Sequence, residues 1–580
     1  MAVPIAPEDL VRDVLARFPA TAEVFARHGL AGCGAGGGPA ERLDVFATAH
    51  EIPLETLLEE LNAHAQPGFP AERAAAGDEP SRRAEPDVVL YRPFLLVALL
   101  STLTLGATYG AVNLLTIHLG LEAWPYFNHP LHASFQLFGF VLPFILGVAV
   151  HAVPRFLGAP LGRPAWARAA LPLILLGLVA RGAGVFPGDR PGFLLAGALA
   201  LLAGVGAAAV ALFSTRRQPG QRRPFLPWIA AGTAWWAASA AVLAAGAAVA
   251  IARGAPEEAT YFHEAAYTCA LLGGAVGWIV GMLFRLGPAF LYLTPPVGRA
   301  GTALFALFQL SVGTAVAGVL LRDVLDLGAG EWVFSFGLLG AGGLLAWYAH
   351  RAGIFRRSSS PRPTGDVGLE RAMRLAFGFA LAFAALVALH LSLELSTGSS
   401  RLVLDAARHA LGQGFVGLTV LAVASRVVPI FGGVELAWPR LRDPAVLAIA
   451  VGVGLRFAEV PAGLGWAPAL VVSGISGLIA AGGVGALACA LLVTLLRRPK
   501  SLTLGARSHP AADMKVAEII ARWPQALEVL VAQGFTPLAN PVTRRTLARA
   551  VTLEQACRLQ GRDLDRVLAD LRRAVEAGSK

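Results

Sequence analysis

Residues 132–154, from His132 to Pro154, read HASFQLFGFVLPFILGVAVHAVP. The stretch holds no Lys, Arg, Asp or Glu, and its apolar residues run on without the period of two that marks a half-buried strand. As a helix it is long enough to cross the hydrocarbon core of a bilayer, roughly 30 Å, which takes about 20 residues. In lipid only helices and closed barrels satisfy their own backbone groups, and an unbroken apolar run fits the helix.

The rest of the chain follows the same pattern. Of 580 residues 56% are hydrophobic and 15% charged, against roughly a quarter charged in a soluble protein. Candidate spans begin near Arg92, Phe127, Ala167, Pro191, Leu226, Tyr261, Gly301, Glu331, Glu370, Leu402, Asp443 and Trp466. The fold class is therefore all-α, a polytopic membrane protein of about twelve helices. The N-terminus opens with proline and acidic residues and does not read as a cleaved signal peptide, so the first span directs insertion. The four cysteines (Cys33, Cys269, Cys489, Cys557) form no CxxC pair, and disulfides are not expected to matter.

Arginine sets the topology. The loop after the second span carries Arg155, Arg163 and Arg168; the fourth is followed by Arg216, Arg217, Arg222 and Arg223. The eighth is followed by Arg351, Arg356, Arg357, Arg362, Arg371 and Arg374. The opposite loops hold acids instead: Glu122, Asp189, Glu257, Glu258, Asp323, Asp326 and Glu331. The positive-inside rule then places both termini in the cytoplasm of a bacterial inner membrane. The net charge of +10 is read as topology and not as nucleic-acid binding.

The chain repeats itself twice over. Val11–Pro19 with Gly29 matches Val516–Pro524 with Gly534, each followed by a leucine-rich amphipathic stretch, Leu54–Leu61 and Leu564–Leu571. The expected organisation is a small helical cytoplasmic domain over residues 1–69, a linker 70–91, the membrane domain 92–497, a linker 498–513, and a second small helical domain 514–580. Within the membrane part the second, sixth and tenth spans share one pattern: an outer histidine, a glycine-rich middle, then a basic residue or histidine three before a proline. The copies run His132, Gly139, Gly147, His151, Pro154; His263, Gly273, Gly274, Gly281, Arg285, Pro288; and His409, Gly412, Gly414, Gly417, Arg426, Pro429. One copy every four helices predicts three four-helix units around an approximate threefold axis.

This register puts His132, His263 and His409 at one level near the outer face, joined by His118, His129 and His390, six of the twelve histidines. Ionisable groups inside a membrane are costly and face the interior, where they mark function. Neutral imidazole suits haem and also copper, and glycine leaves clearance for a flat ring. With no CxxCH, haem would be held non-covalently, as a b-type group. His132 and His409 are the candidate axial ligands, and Arg408 is a candidate partner for the propionates. His118, His263, His390 and His129 are candidate metal ligands beside them. His151 and His350 read as interfacial, and Gln309 is the polar candidate on the seventh span.

The stretch His129–Phe140, continuing to Val153–Gly158, resembles the second-helix motif of the NnrS-type haem-copper membrane proteins. Arg408–Gly414 and Ser425–Arg426 resemble that family's later His-Ala-Leu motif and its closing arginine. The resemblance covers roughly residues 90–497. It implies a fold related to haem-copper oxidase subunit I and a role in the response to nitric oxide. It also implies a low-spin haem between helices two and ten, carried here onto His132 and His409. Ala133 stands where an acidic residue is usual, Pro429–Gly433 replaces the Gly-His-Thr-Gly-Arg ending, and the oxidase histidines of helices seven and ten are absent. The resemblance thus does not extend to a complete oxygen-reducing binuclear centre. Val11–Pro19, Val24–Phe25, His28–Gly29 and Cys33–Gly37 are similar to the N-terminal domain of the ScdA iron-centre repair proteins, with Cys33 single where that family has a pair. The terminal domains are accordingly read as docking pieces for a cytoplasmic protein partner.

The functional expectation is a haem-binding or haem-copper protein that binds or reduces nitric oxide or another small gaseous ligand, or transfers electrons, with a quinol or a cytochrome as electron donor. An oxidoreductase of nitric-oxide-reductase type is one form of this. A proton- or ion-coupled transporter, and a membrane haem sensor that signals through its terminal domains, remain open beside it.

Overall fold

The computed structural model describes residues 5–28, 38–65, 89–119, 128–185, 190–215, 223–356, 366–397, 401–497, 510–539 and 551–577, apart from positions 40, 51 and 513. Cys33 and nearly all of both expected linkers lie outside these residues. The described residues are helical, and their only β pairing is two isolated bridges.

Among the described residues twelve helices are long and apolar enough to cross a membrane. Spans 1 to 4 are Tyr91–Leu119, Leu131–Leu157, Pro164–Val185 and Pro191–Phe213; spans 5 to 8 are Leu226–Arg253, Pro256–Leu291, Gly298–Asp323 and Ala329–Ala352. Spans 9 to 12 are Val367–Ser396, Arg401–Gly432, Pro439–Gly463 and Ala469–Leu496. Each begins close to its expected start, the widest gap being Pro256 against Tyr261.

Burial sorts the spans into two shells. The most apolar stretches of spans 2, 6 and 10 are 94%, 83% and 78% buried inside the protein, and those of the other nine are 39–50% buried. The three helices that carry the repeated pattern are therefore the inner shell, and the other nine divide their surface between protein and lipid. Contacts close the ring in threefold fashion: spans 3–4, 7–8 and 11–12 pair most extensively, and spans 4–5, 8–9 and 12–1 join one unit to the next.

The close pairing inside each unit has a sequence cause. Gly177, Gly318 and Gly452 each face the neighbouring span so closely that a Cβ would run into Leu201, Phe334 and Ala480 respectively. Small residues let helix backbones approach in lipid, where there is no hydrophobic drive to press them together. Four residues after each glycine stands an arginine, Arg181, Arg322 or Arg456, at the end of the bundle away from the termini.

At the end nearer the termini the repeat closes on itself through aromatic rings. The prolines Pro154, Pro288 and Pro429 are each followed, two residues on, by Phe156, Phe290 and Phe431. The Arg285 guanidinium lies 4.9 Å from the Phe156 ring centroid, and that of Arg426 lies 5.7 Å from Phe290. The His151 ring lies 4.1 Å from Phe431. Each copy's basic or imidazole group thus rests on the phenylalanine of the copy before it. Each helix then ends on a left-handed residue four beyond its proline: Gly158, Tyr292 and Gly433. Glycine is the usual solution there, and Tyr292 (φ 53°) is the strained member.

The N-terminal helices sit against this ring. Helix Leu43–His50 packs Val45 and Ala49 onto Ala289 and Phe290 at the end of span 6. Glu41 is buried and lies 3.6 Å from Arg426. The His50 ring stacks on Phe46 with centroids 4.3 Å apart and feels Arg285, Arg155 and His28. The C-terminal residues form their own core around Ile519, Leu530, Leu553 and Leu571. Its bridge Lys515↔Thr552 repeats the bridge Leu10↔Arg42 of the N-terminal set, so the duplication seen in sequence is also one of backbone pairing.

Candidate haem site

The central spans share a local irregularity. Each turns π-helical just past its histidine: Phe135–Val141 after His132, Cys269–Val276 after His263 and Ala410–Gly417 after His409. A π-turn inserts a residue and breaks the side-chain register, and such turns occur mostly at functional positions. The three segments meet near the axis, that of span 6 touching those of spans 2 and 10.

His132 and His409 are prepared alike. The His132 Nδ1 lies 2.8 Å from the Gly106 carbonyl on span 1, and the His409 Nδ1 lies 2.9 Å from the Asp405 carbonyl one turn back. A carbonyl only accepts, so each Nδ1–H donates and the lone pair resides on Nε2. That is the arrangement in which a metal-bound imidazole is usually oriented. The two rings are near enough to interact electrostatically. Gly110 makes room for the first, since a Cβ there would fall on the His132 ring. Beside the second, Gly412 has only Leu271 near its Cβ position, at 3.7 and 3.9 Å, and Gly417 has only the Gly412 carbonyl at 3.4 Å. A Cβ would sit at ordinary van der Waals distance at either position, so span 10 is not tightly closed there, and the donor pair fits a metal-bound macrocycle.

Other glycines are already filled by the protein's own rings. The Trp235 ring covers Gly273, Trp236 covers Gly274, and Phe379 covers Gly414. Trp235 Nε1 donates to Gln309 Oε1 at 2.7 Å, which gives Gln309 an indole partner on span 5.

Around the histidines runs a belt of charge. Arg322 reaches Asp323 at 2.6 Å, and Glu331 and Glu264 at 2.5 Å each. Glu264 also pairs with Arg408. Glu331 accepts from His390 Nε2 at 2.9 Å. On the other side Arg456 pairs with Asp405 and lies 3.2 Å from Glu459. Glu459, fully buried, accepts from His118 Nε2 at 3.0 Å and from Ser473 at 3.1 Å. In the remaining unit Arg181 donates to Ser134 at 3.4 Å, and Ser134 is 3.1 Å from the Tyr267 hydroxyl. Each Gly-x-x-x-Arg arginine thus reaches a polar side chain on its unit's central helix: Ser134, Glu264 or Asp405.

These contacts sort the candidate residues. His132 and His409 stand within electrostatic reach of each other. Arg408 stands beside His409, paired to Glu264. His118 and His390 are held by carboxylates on separate arms of the belt, because each carboxylate needs a donor once it leaves water. His263 stacks on Tyr267 at 5.7 Å. The side chain of His129 lies outside the described residues. Among the described residues no group of three or more His, Cys, Asp or Glu is placed to hold a metal ion, so His118, His263 and His390 do not converge on one. Sequence reading missed Arg181, Arg322, Arg456 and Glu459, although the recurring Gly-x-x-x-Arg toward the end of the third span of each unit was visible.

Comparisons with known proteins bear on two regions. A family model described as "Domain of unknown function (DUF1858)" matches residues 511–568, the C-terminal helical set. No curated protein matches the chain. A solved structure reported as a heme-copper terminal oxidase dimer aligns with TM-score 0.57 at 14% identity, covering 71% of this chain and 84% of its own. At that identity the likeness establishes a shared fold.

Proposed function

We propose that spans 2 and 10 hold a b-type haem non-covalently between His132 and His409, at the end of the bundle away from the termini. The chain would then be a haem-bearing redox protein of the bacterial inner membrane, acting in the response to nitric oxide. The observation that carries the haem reading is the matched pair: two imidazoles within electrostatic reach, each with Nδ1–H given to a backbone carbonyl, which puts the lone pair on Nε2. The shared fold supports it. The nitric-oxide role rests on the NnrS-like motifs, and the orientation with cytoplasmic termini rests on the arginine-rich loops.

When bound, the haem iron supplies one-electron redox chemistry tuned by its axial ligands and by burial. The chain's own residues do the rest. The Gly106 and Asp405 carbonyls fix the two ring orientations. Phe138, Trp236 and Phe415, all buried, keep water from the centre. Arg408, paired to Glu264 at the outer rim, is the group that would face carboxylates of a macrocycle. A bis-imidazole set favours electron transfer over tight binding of a gas, which points to a quinol or a cytochrome as the electron donor. Copper finds no three-donor cluster among the described residues, so the proposal rests on haem alone.

Purified protein should carry haem released by acid-acetone extraction, with stoichiometry near one. His132→Ala and His409→Ala should each lower that content while Cys489→Ala leaves it unchanged. A colourless, metal-free preparation that moves protons or ions in proteoliposomes would replace the proposal with a transporter. One contact set favours a second, compatible reading, that of a haem sensor. The N-terminal helices touch spans 6 and 10 directly, through Ala289, Phe290 and Arg426, so a shift of either span would reach them.

A further inference from the structure

Spans 9 and 11 do not close against each other along their whole length. Between them lies an open, almost wholly apolar groove of about 570 Å³, floored by Gly378, Phe379, Ala382 and Phe457. Its mouth carries Arg371 and Arg374. The Phe379 and Phe457 rings meet edge-on at its inner end, with centroids 6.2 Å apart.

Its dimensions match one leaflet. Arg371 and Ala382 are eleven residues apart on one helix, about 17 Å at 1.5 Å per residue. Half of a roughly 30 Å hydrocarbon core is about 15 Å. The two arginines therefore stand at headgroup level on the side of the termini, and the aromatic floor ends near mid-membrane. Of the two charges, that of Arg374 is paired with a carboxylate and that of Arg371 is not. Arg374 is fixed by Glu370 at 3.3 Å and by the Ile354 carbonyl at 3.3 Å, which holds its guanidinium in place. Arg371 is exposed and has no carboxylate or carbonyl partner among the described residues. Arg351 and Arg356, both exposed, lie at the same end of the neighbouring span.

We propose that this groove is a binding site for one anionic phospholipid of the leaflet on the side of the termini, its acyl chain on Phe379 and Phe457 and its phosphate at Arg371. A zwitterionic lipid would fill the apolar part equally well, and the arginines make the difference: a basic residue near an anionic headgroup is worth about five-fold in binding. The proposal does not depend on the haem reading, and a colourless protein would test it as well as a coloured one.

The test uses the full chain in detergent, with dioleoylphosphatidylglycerol, dioleoylphosphatidylcholine and glycerol 3-phosphate as separate probes. Lipid retained is counted by native mass spectrometry, and thermal midpoints are followed in parallel. The phosphatidylglycerol should be retained at least five-fold over the phosphatidylcholine and should raise the midpoint, with no response to glycerol 3-phosphate. Arg371→Gln should remove the preference but keep chain binding, and Ala382→Trp should weaken retention of both lipids. Arg401→Gln, at the opposite end of the bundle, should behave as the unchanged protein. Equal retention of the two lipids, or a preference that survives Arg371→Gln, overturns the proposal. An equal midpoint shift from glycerol 3-phosphate reduces the site to an anion contact and overturns the acyl part.

Discussion

The seam between the N-terminal helices and the membrane bundle should respond to pH through two groups acting in opposite directions. Burial pushes the Glu41 carboxyl from its ordinary 4.5 up to about 7, against the opposing pull of Arg426 and with a small upward push from Asp44. Burial, helped by Arg285 and Arg155, brings the His50 imidazole from 6.5 down to about 3. A raised carboxyl favours the docked form at low pH, and that advantage is lost as pH climbs from 4.5 through 7. A depressed imidazole favours the docked form above 6.5, and that advantage is lost as pH falls toward 3. Each slope is about 1.4 kcal/mol per pH unit, or ten-fold in the docking equilibrium. Between pH 4.5 and 6.5 the two cancel, so docking in the unmodified protein should be nearly level there. Glu41→Gln removes the falling limb and should strengthen docking about ten-fold per unit toward pH 6.5. His50→Gln, which installs the residue that the C-terminal set carries as Gln560, should weaken it by the same factor. Hydrogen exchange of residues 43–50, corrected for intrinsic rates, reads this directly. Three superimposable profiles would refute the reasoning, because neither group would then be titrating at the seam.

Other predictions test the frame around the site. Gly110→Leu puts a branched side chain where the His132 ring lies, and should abolish haem retention while circular dichroism stays helical. Arg322→Ala leaves Asp323, Glu331 and Glu264 without their common cation and should cost about 3–5 kcal/mol, seen as failure to purify as a monodisperse protein, with Arg322→Lys intermediate. Tyr292→Gly relieves a left-handed tyrosine and should stabilise the protein by about 1 kcal/mol, read as a higher thermal midpoint.

Much of this was legible in the sequence, and for definable reasons. Apolar runs such as Leu142–Val150 permit one answer in lipid, so the twelve helices and their starts followed from length and hydropathy alone. The repeat of His, Gly and basic-x-x-Pro was readable because symmetry writes the same constraint three times, and the inner shell of spans 2, 6 and 10 is its consequence. Lateral choices were not readable. Nothing local to His118 or His390 says that Glu459 and Glu331 will take them, since those partners come from distant helices and the pairing is set by packing. Glycines read as clearance for a cofactor proved in part to be seats for Trp235, Trp236 and Phe379. The docking of Glu41 on Arg426 joins residues far apart in the chain, and no periodicity carries that information. The arginines of Gly-x-x-x-Arg were legible in principle. A single arginine near a helix end more often snorkels to the interface, so one copy alone does not mark a site.

The central claim is that His132 and His409 are the two axial ligands of one haem. Low-temperature electron paramagnetic resonance of the oxidised protein tests it most directly. The account predicts a low-spin ferric signal of bis-imidazole type, converted to high spin in both His132→Gly and His409→Gly and returned to low spin by added imidazole. A low-spin signal untouched by either substitution would contradict it, as would the absence of any haem signal from well-folded protein.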